Sequence, residues 1–414
     1  MVSNRVNGVD GPLKGIRVLD WTMWQFGPVS AAMMGDMGAD VIKIEALDGD
    51  AGRALSRAST MSLNLAGGRN AYFEACNRNK RGIAVNLKTP EGRDIIYRLV
   101  EGADVFVQNF RKGVAERLGI GYDTLREINP RLVYGSASGY GPEGPDAYLP
   151  SFDGCGQARA GLMMSATPIG AKVPARISQG VSDQIGAIML CNGILAALVA
   201  RNQQGVGQRI DTSHLSANMW LQGLGISMSL MSGTQFGAYD RNNPRNALAN
   251  MYECEDSRWI QLMHLQADRY WTPFLTALGL TEVIDDPRFA TLEERAANAP
   301  ALVAILDRKF AEKSFDEWDA LLRESGDFIY AKVQTIEELQ YDSQVIANDY
   351  ITTFDHPVLG PVKMCNHPNI YSETPAGIWR EAPELGQHTE EILVEELGYT
   401  WEDIGKLQEA GAIP

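Results

Sequence analysis

Over its first third the chain alternates short apolar runs with stretches of helical periodicity. Residues 16–20 (IRVLD) read as a strand, 28–37 as a helix and 41–45 (VIKIE) as a second strand. Residues 82–86 follow as a strand, 90–101 as a helix with Pro90 near its start, and 104–108 as a strand. Short helices at 114–118 and 122–128 precede a strand at 132–136. Strands that alternate with helices predict an α/β, Rossmann-like, mostly parallel and doubly wound sheet. Ligands of such a sheet sit beyond the carboxyl ends of its strands. Those ends are 21–28, 45–53, 109–117 and 137–144.

The pattern changes at 179–198, QGVSDQIGAIMLCNGILAAL. Ile185, Ile188, Asn192, Leu195 and Leu198 recur at spacings of three and four, the period of a helix face. Gly186, Ala187, Gly193, Ala196 and Ala197 let that helix lie close to a neighbour. Ser182 and Asp183 stand where a helix N-cap belongs. A carboxylate there is favoured in its ionised form by about 0.3–1 kcal/mol. Asp183 has two readings, a helix cap or an activated carboxylate nucleophile, and the commoner use of such a residue is the cap. A strand-like RIDTS, a Met-rich helical stretch at 215–231 and a polar loop at 239–250 come next. They look like a crossing to a second body. Residues 259–262 are strand-like, 268–322 alternate helices with acidic loops, and short strands return from Val333 before a last helix at 389–397.

Composition narrows the function. A chain of 414 residues, 45% hydrophobic, has core enough for two domains. A net charge of −15 argues against general binding of nucleic acid or anionic membrane. Cys76, Cys155, Cys191, Cys254 and Cys365 are scattered and form no CxxC, which fits a reducing compartment without disulfides or zinc. Residues 1–13 are polar and read as no signal peptide. The most apolar run, 185–200, is short and holds Asn192, so no membrane span is expected and the expected setting is the cytoplasm. No GxGxxG follows the first strand; its turn is DWTMWQFGP, 20–28. That disfavours a dinucleotide oxidoreductase. There is no Walker A motif, and His214, His264, His356, His367 and His388 form no HExxH. His356-Pro357 and His367-Pro368 read as surface turns. No metal is expected. No Ser–His or Cys–His constellation is recognisable near Asp183.

Several stretches, in order, resemble a known family: GPLKG at 11–15 leading into VLDWT, QFGP at 25–28, MGDMGADVIKIE at 34–45, NRNKR at 77–81 with LKTPEG at 87–92, then 104–110, Gly207-Gln208 and PELGQHT at 383–389. Together they resemble the class III CoA-transferases of the CaiB/BaiF type, the family of formyl-CoA and carnitine CoA-transferases, over about 11–398. The resemblance makes Asp183 the nucleophile, Gln25 an active-site donor and Asp153 an acidic active-site residue. It places Val85, Asn109, Phe110, Arg117 and Leu118 along a CoA cleft. Lys80, Arg81, Arg111 and Lys112 are basic residues in an acidic chain and are candidates to meet phosphates.

Exchange of CoA between two carboxylic acids replaces one thioester by another, and a covalent route through an aspartyl anhydride and an aspartyl-CoA thioester divides the barrier. No permanently bound cofactor is implied; CoA and acyl-CoA are substrates. The resemblance further implies a large domain of 1–200 and 330–414, a linker at 201–225, a smaller α+β domain at 226–329, and a homodimer of interlocked chains. A heteromer with a homologous subunit is the alternative assembly. The sequence departs from the family pattern at Ala46, Pro150, Ser182 and 264–267, and with Trp21, Trp24, Met163 and Met164 this points to an acid bulkier than formate or oxalate. Two rivals stand beside this reading. An α-methylacyl-CoA racemase wants a His where Phe152 stands. A non-catalytic CoA-binding subunit has no need of Asp183.

Overall fold

The computed structural model describes residues 10–178, 180–234 and 239–414; Gln179, at the head of the apolar stretch, lies outside the described residues. They fall into two compact units. The larger takes its residues from Met1–Met164, Arg176–Phe236 and Ile346–Pro414, and the smaller from Ser165–Ala175 and Gly237–Val345.

The large unit is built on one parallel sheet. Its strands are β1 (Arg17–Trp21), β2 (Asp40–Glu45), β3 (Lys80–Ala84), β4 (Val105–Gln108), β5 (Val133–Ser138) and β6 (Arg209–Ser213), in the spatial order β3-β2-β1-β4-β5-β6. The winding reverses between β1 and β4, which opens a crevice at their carboxyl ends. Adjacent residues point to opposite faces, so Val18, Val41, Val105 and Val133 join one core and Leu19, Ile42, Phe106 and Tyr134 the other. Both faces are covered, and each fully buried side chain of this size contributes about 1.5–3 kcal/mol. The Val face meets α1 (Phe26–Asp36) and the long helix Val181–Gln204. The other meets α3 (Pro90–Glu101) and the C-terminal helix Trp401–Glu409. Between α1 and α3, the short α2 (Ala71–Asn77) starts on the Asn70 side chain, which accepts from Phe73 N–H at 3.0 Å. Next come α4 (Asp153–Arg159), α5 (Val181–Gln204), α6 (His214–Leu221) and α7 (Gly223–Ser232).

The strands and α3 lie where the periodicity predicts them. Other expectations need correction. The stretch 201–225 is no linker: it holds the end of α5, the sixth strand β6 and α6. β6 pairs with β5 from Tyr134 to Ser138, so the sheet is incomplete without it. The chain leaves the large unit near 236 rather than 225, and returns near 346 rather than 330. The helical pattern at 215–231 is two helices, broken at Gln222 ahead of Gly223 and Gly225. The buried stripe of α5 is Gly186, Ala187, Leu190, Cys191, Ile194, Ala197 and Leu198, of which only Leu198 belongs to the predicted face. Asn192 is exposed, and Ile185, Ile188 and Leu195 are half-buried. Small residues face inward because the helix runs close: a Cβ on Gly186 would lie 2.7 Å from the Phe26 ring. By length and composition α5 could cross a bilayer, contrary to the sequence reading, but its stripe packs on α1 and the sheet. His356 and His367 are 3% and 4% exposed, not surface turns; the His356 ring accepts the Val358 and Leu359 N–H groups, and proline geometry alone did not show that burial.

The small unit packs α8 (Ala267–Leu278), α9 (Ala299–Phe310) and α10 (Phe315–Ser325) on a three-stranded antiparallel sheet. Its strands are β7 (Met251–Glu253), β8 (Trp259–Leu262) and β9 (Tyr330–Lys332). Phe274, Leu302, Phe310 and Trp318 form its core. Back in the large unit, β10 (Ile351–His356) and β11 (Gly360–Cys365) make a hairpin. The expected last helix at 389–397 is a short turn, Thr389–Glu391, run into a wider one, Ile392–Glu396. The true final helix is α11 (Trp401–Glu409), whose Ile404 and Leu407 complete the core under α3.

Candidate active site

Asp183 lies in the first turn of α5 but does not cap it. The N-cap position is Gly180, in the left-handed region at φ 80°, and no side chain of α5 closes the turn. A Cβ on Gly180 would fall 2.5 Å from Gln25 Oε1, so this approach needs glycine. The cap comes from another helix. Asp153 Oδ1 accepts the Ser182 N–H at 2.7 Å, and Asp153 Oδ2 accepts from Gln157 Nε2 at 2.9 Å. Ser182 is fully buried and accepts from Asn218 Nδ2 at 2.8 Å. Both carboxylate oxygens of Asp153 are thus engaged. Asp183 keeps one oxygen without a hydrogen bond among the described residues, and its side chain is 17% exposed.

The partner of the other oxygen is a residue that motif reading missed. His214 Nε2 lies 2.8 Å from Asp183 Oδ1, and His214 Nδ1 lies 3.1 Å from Ser151 Oγ. The ring is buried, tilted against Phe26 with centroids 4.9 Å apart. A Cβ on Gly156 would meet His214 Cβ at 2.7 Å, so α4 approaches the imidazole closely. A Ser–His contact does therefore stand beside Asp183, contrary to the sequence expectation. One signal could have found it: His214 is the first residue after β6, at the carboxyl end of a strand, where this fold keeps its chemistry.

Gln25 Nε2 donates to Gly180 O at 3.1 Å and faces Gln184 Oε1 at 3.3 Å. It reaches the turn before Asp183, and its amide is engaged there. Tyr72 was not singled out by sequence. Burial, then the Cys76 thiol and the charge of Asp183, hold its phenol well above the usual range, so it stays protonated.

A cleft of about 340 Å³ opens at the ends of β1, β2 and β4. Val85, Phe110 and Leu118 line it, with Trp21 and Ile44. Trp21 and Phe110 stack with ring centroids 4.0 Å apart. Asn109 does not line the cleft but braces its wall: Oδ1 accepts the Met23 N–H at 2.9 Å and Nδ2 donates to Met23 O at 2.7 Å. Arg117, next to Leu118, is exposed, and its guanidinium has no hydrogen bond or ion pair among the described residues. Lys88, exposed on the rim, is a cation that motif reading passed over.

Two expected phosphate contacts are structural instead. Lys80 is fully buried, and its ammonium is held by Asp20 Oδ2 at 2.7 Å, Pro28 O at 2.8 Å and Asn77 Oδ1 at 2.9 Å. Burial works against the Asp20 charge, but Lys80 and Lys43 outweigh it and hold that carboxyl below its usual range. Arg81 pairs with Asp40 at 2.8 Å and with Glu396, tying the C-terminal segment to the sheet. Lys112 donates to Pro142 O at 2.5 Å and lies over the Tyr148 ring; Arg111 is exposed.

One turn, 21–28, joins the cleft to the start of α5, where Asp183 stands. Trp21, Thr22 and Met23 line the cleft, and Gln25 touches the start of α5. Between them Trp24 takes a left-handed backbone at φ 67°, uncommon for a bulky residue, with its N–H on Asp50 Oδ1 at 3.2 Å. Asp50 is in turn fixed by the buried Lys43 at 3.0 Å.

Residues 13–389 match the model of CoA-transferase family III. The chain belongs to that family. This family III enzyme is 33% identical over 407 residues to the (R)-2-hydroxy-4-methylpentanoate CoA-transferase of Clostridioides difficile, covering 97% of this chain and 99% of that one. It is 30% identical to the succinyl-CoA:glutarate CoA-transferase of Homo sapiens, covering 97% and 90% of the two chains. Among solved structures, a CAIB/BAIF family protein from Brucella suis superposes with a TM-score of 0.82 at 28% identity, over 94% of this chain and all of that one. The family III match bears out the resemblance drawn from the motifs, the α/β fold with a parallel sheet, and a transferase acting on CoA.

Proposed function

We propose that this transferase moves CoA from an acyl-CoA donor to a carboxylic acid through a covalent intermediate on Asp183. One observation carries the reading: of the two carboxylates at the start of α5, Asp153 is buried with both oxygens engaged, whereas Asp183 is partly exposed with one oxygen free. Asp183 attacks the thioester carbonyl and releases CoA thiolate. The resulting mixed anhydride exchanges with CoA and then with the acceptor acid. CoA lies in the cleft beside Trp21 and Phe110, with Arg117 at its phosphates. The acceptor is larger than formate, set beside Trp24 and Phe152, whose rings meet edge to face at 5.8 Å. Trp21 belongs to the CoA cleft rather than to the acid site. Relatives named for phenyllactate and D-citramalate transfer support a larger acid. A donor-by-acceptor matrix read by mass spectrometry identifies the pair.

The same site disfavours a racemase. That reaction needs a base on each side of an α-carbon. His214 and Asp183 are in direct contact at 2.8 Å, with no room for a carbon between them. The heteromer reading predicts that the purified chain alone is inactive. Ours predicts that it exchanges CoA as an interlocked homodimer.

With acyl-CoA and hydroxylamine, Asp183 becomes a hydroxamate, visible in a peptide mass map and absent without acyl-CoA. Asp183→Asn folds and binds CoA but loses transfer by about 10³-fold or more. Near-normal exchange by the Asn variant, with deamidation to Asp excluded, would overturn the mechanism.

A further inference from the structure

We infer that His214 donates the hydrogen bond that stabilises the oxyanion formed on Asp183 itself, and that it leaves Asp183 Oδ2 as the attacking atom. The inference rests on the covalent reading above and assigns a residue that the reading does not need. Three observations support it. His214 Nε2 is 2.8 Å from Asp183 Oδ1, and Oδ2 has no hydrogen bond among the described residues. The ring is buried between Phe26 and Gly156, so its orientation is fixed. Its other nitrogen lies 3.1 Å from the Ser151 hydroxyl, which can donate or accept. If the imidazole is neutral, the Ser151 O–H donates to Nδ1 and Nε2 carries the proton. If it is charged, both nitrogens donate. In either state an N–H faces Oδ1.

The chemistry follows atom by atom. Oδ2 attacks the donor acyl carbon, the acyl C–S bond breaks, and CoA thiolate leaves. Asp183 is now an anhydride whose carbonyl oxygen is Oδ1. The thiolate attacks Cγ and the electron pair of that carbonyl moves onto Oδ1, where the His214 N–H waits. Collapse breaks the bond from Cγ to the bridging oxygen and expels the donor acid as its carboxylate, leaving an aspartyl-CoA thioester. The acceptor carboxylate attacks Cγ in the same way and expels thiolate. Thiolate then takes the acceptor acyl group, and the bond from the bridging oxygen to that acyl carbon breaks to restore the Asp183 carboxylate. No proton or electron is gained or lost over the cycle. His214 thus serves the two attacks on Cγ and not the two attacks on substrate carbonyls. Loss of one preorganised donor of this kind typically costs about 10²–10³ in rate.

The test compares His214→Leu, His214→Gln and His214→Asn in the full-length protein. The Gln amide nitrogen can reach the place of Nε2; the Asn amide nitrogen reaches only that of Nδ1. The expected result is a kcat about 10²–10³-fold lower for His214→Leu and His214→Asn, with KM for acyl-CoA within about twofold, and at least tenfold recovery in His214→Gln. Hydroxylamine attacks Cγ too, so labelling of Asp183 slows in the same ratio as turnover. Turnover of His214→Leu within about threefold of wild type overturns the proposal, as does equal impairment of the Gln and Asn variants. If His214→Leu fails to fold, the Gln–Asn comparison decides. Failure of the covalent reading looks different: Asp183 is then unlabelled in the wild-type protein.

Discussion

Arg117 and Arg81 show how little a charge in a sequence says without its partner. Both are arginines near a candidate CoA cleft, yet only Arg117 has a guanidinium without an ion pair. Arg117→Ala should raise the CoA dissociation constant about tenfold, roughly 1.4 kcal/mol, and leave the unfolding midpoint unchanged. Calorimetric titration checks the first, and an unchanged affinity would remove Arg117 from the site. Arg81 and Lys80 were misread because their anions come from far along the chain: Asp20 lies 60 residues from Lys80, and Glu396 lies 315 from Arg81. His214 was missed for the same reason, 31 residues from the carboxylate it serves. Asp183 stood out because it is a lone acid at the start of an apolar helix, and Asp153 came to notice only through the resemblance. The function of Asp153 was still only half visible, since its cap is on a helix not its own.

Among elements, the sheet was legible because its strands are covered on both faces and read as apolar runs between turns. The face of α5 was not, since close packing puts Gly and Ala inside, where a hydrophobic pattern looks for Ile and Leu. α11 was missed because only Ile404 and Leu407 of a polar helix are buried, though its Thr400–Asp403 capping box is a readable start signal. The small unit carries a different mark. His264, between β8 and α8, is buried against Tyr270 and Phe274, and its Nε2 accepts the Ile329 N–H at 3.1 Å. Burial pushes its pKa down to about 4. Unfolded histidine titrates near 6.5, so between these values the unfolded chain binds a proton that the folded unit refuses. Stability is therefore full above pH 6.5 and falls as the pH drops towards 4, by about 2–3 kcal/mol from this residue. Denaturant unfolding at pH 7 and pH 4.5 should show a smaller pH loss in His264→Phe than in wild type. Equal losses would mean that His264 is not the sensor.

At the scale of the whole molecule, α7 has no buried residue, and Leu224, Leu230 and Met231 are 76–81% exposed. A helix this apolar wants a cover, and the homodimer we propose supplies one. Interlocked chains cannot separate without unfolding, so sedimentation at low micromolar concentration should find dimer and no folded monomer. A folded monomer in reversible exchange would rule out interlocking. The sixth strand has a consequence in time. β5 and β6 are neighbours in the sheet, yet residues 139–208 come between them in the chain. Asp183 is carried in that excursion, and His214 follows it. During synthesis Asp183 emerges before His214, and the two meet only when β6 docks on the sheet edge. Contacts of such long sequence separation form late. In refolding from denaturant, far-ultraviolet circular dichroism should therefore return before CoA exchange, and one shared rate constant for both would show that the strand does not dock last. The newborn protein would be folded in outline while still chemically silent.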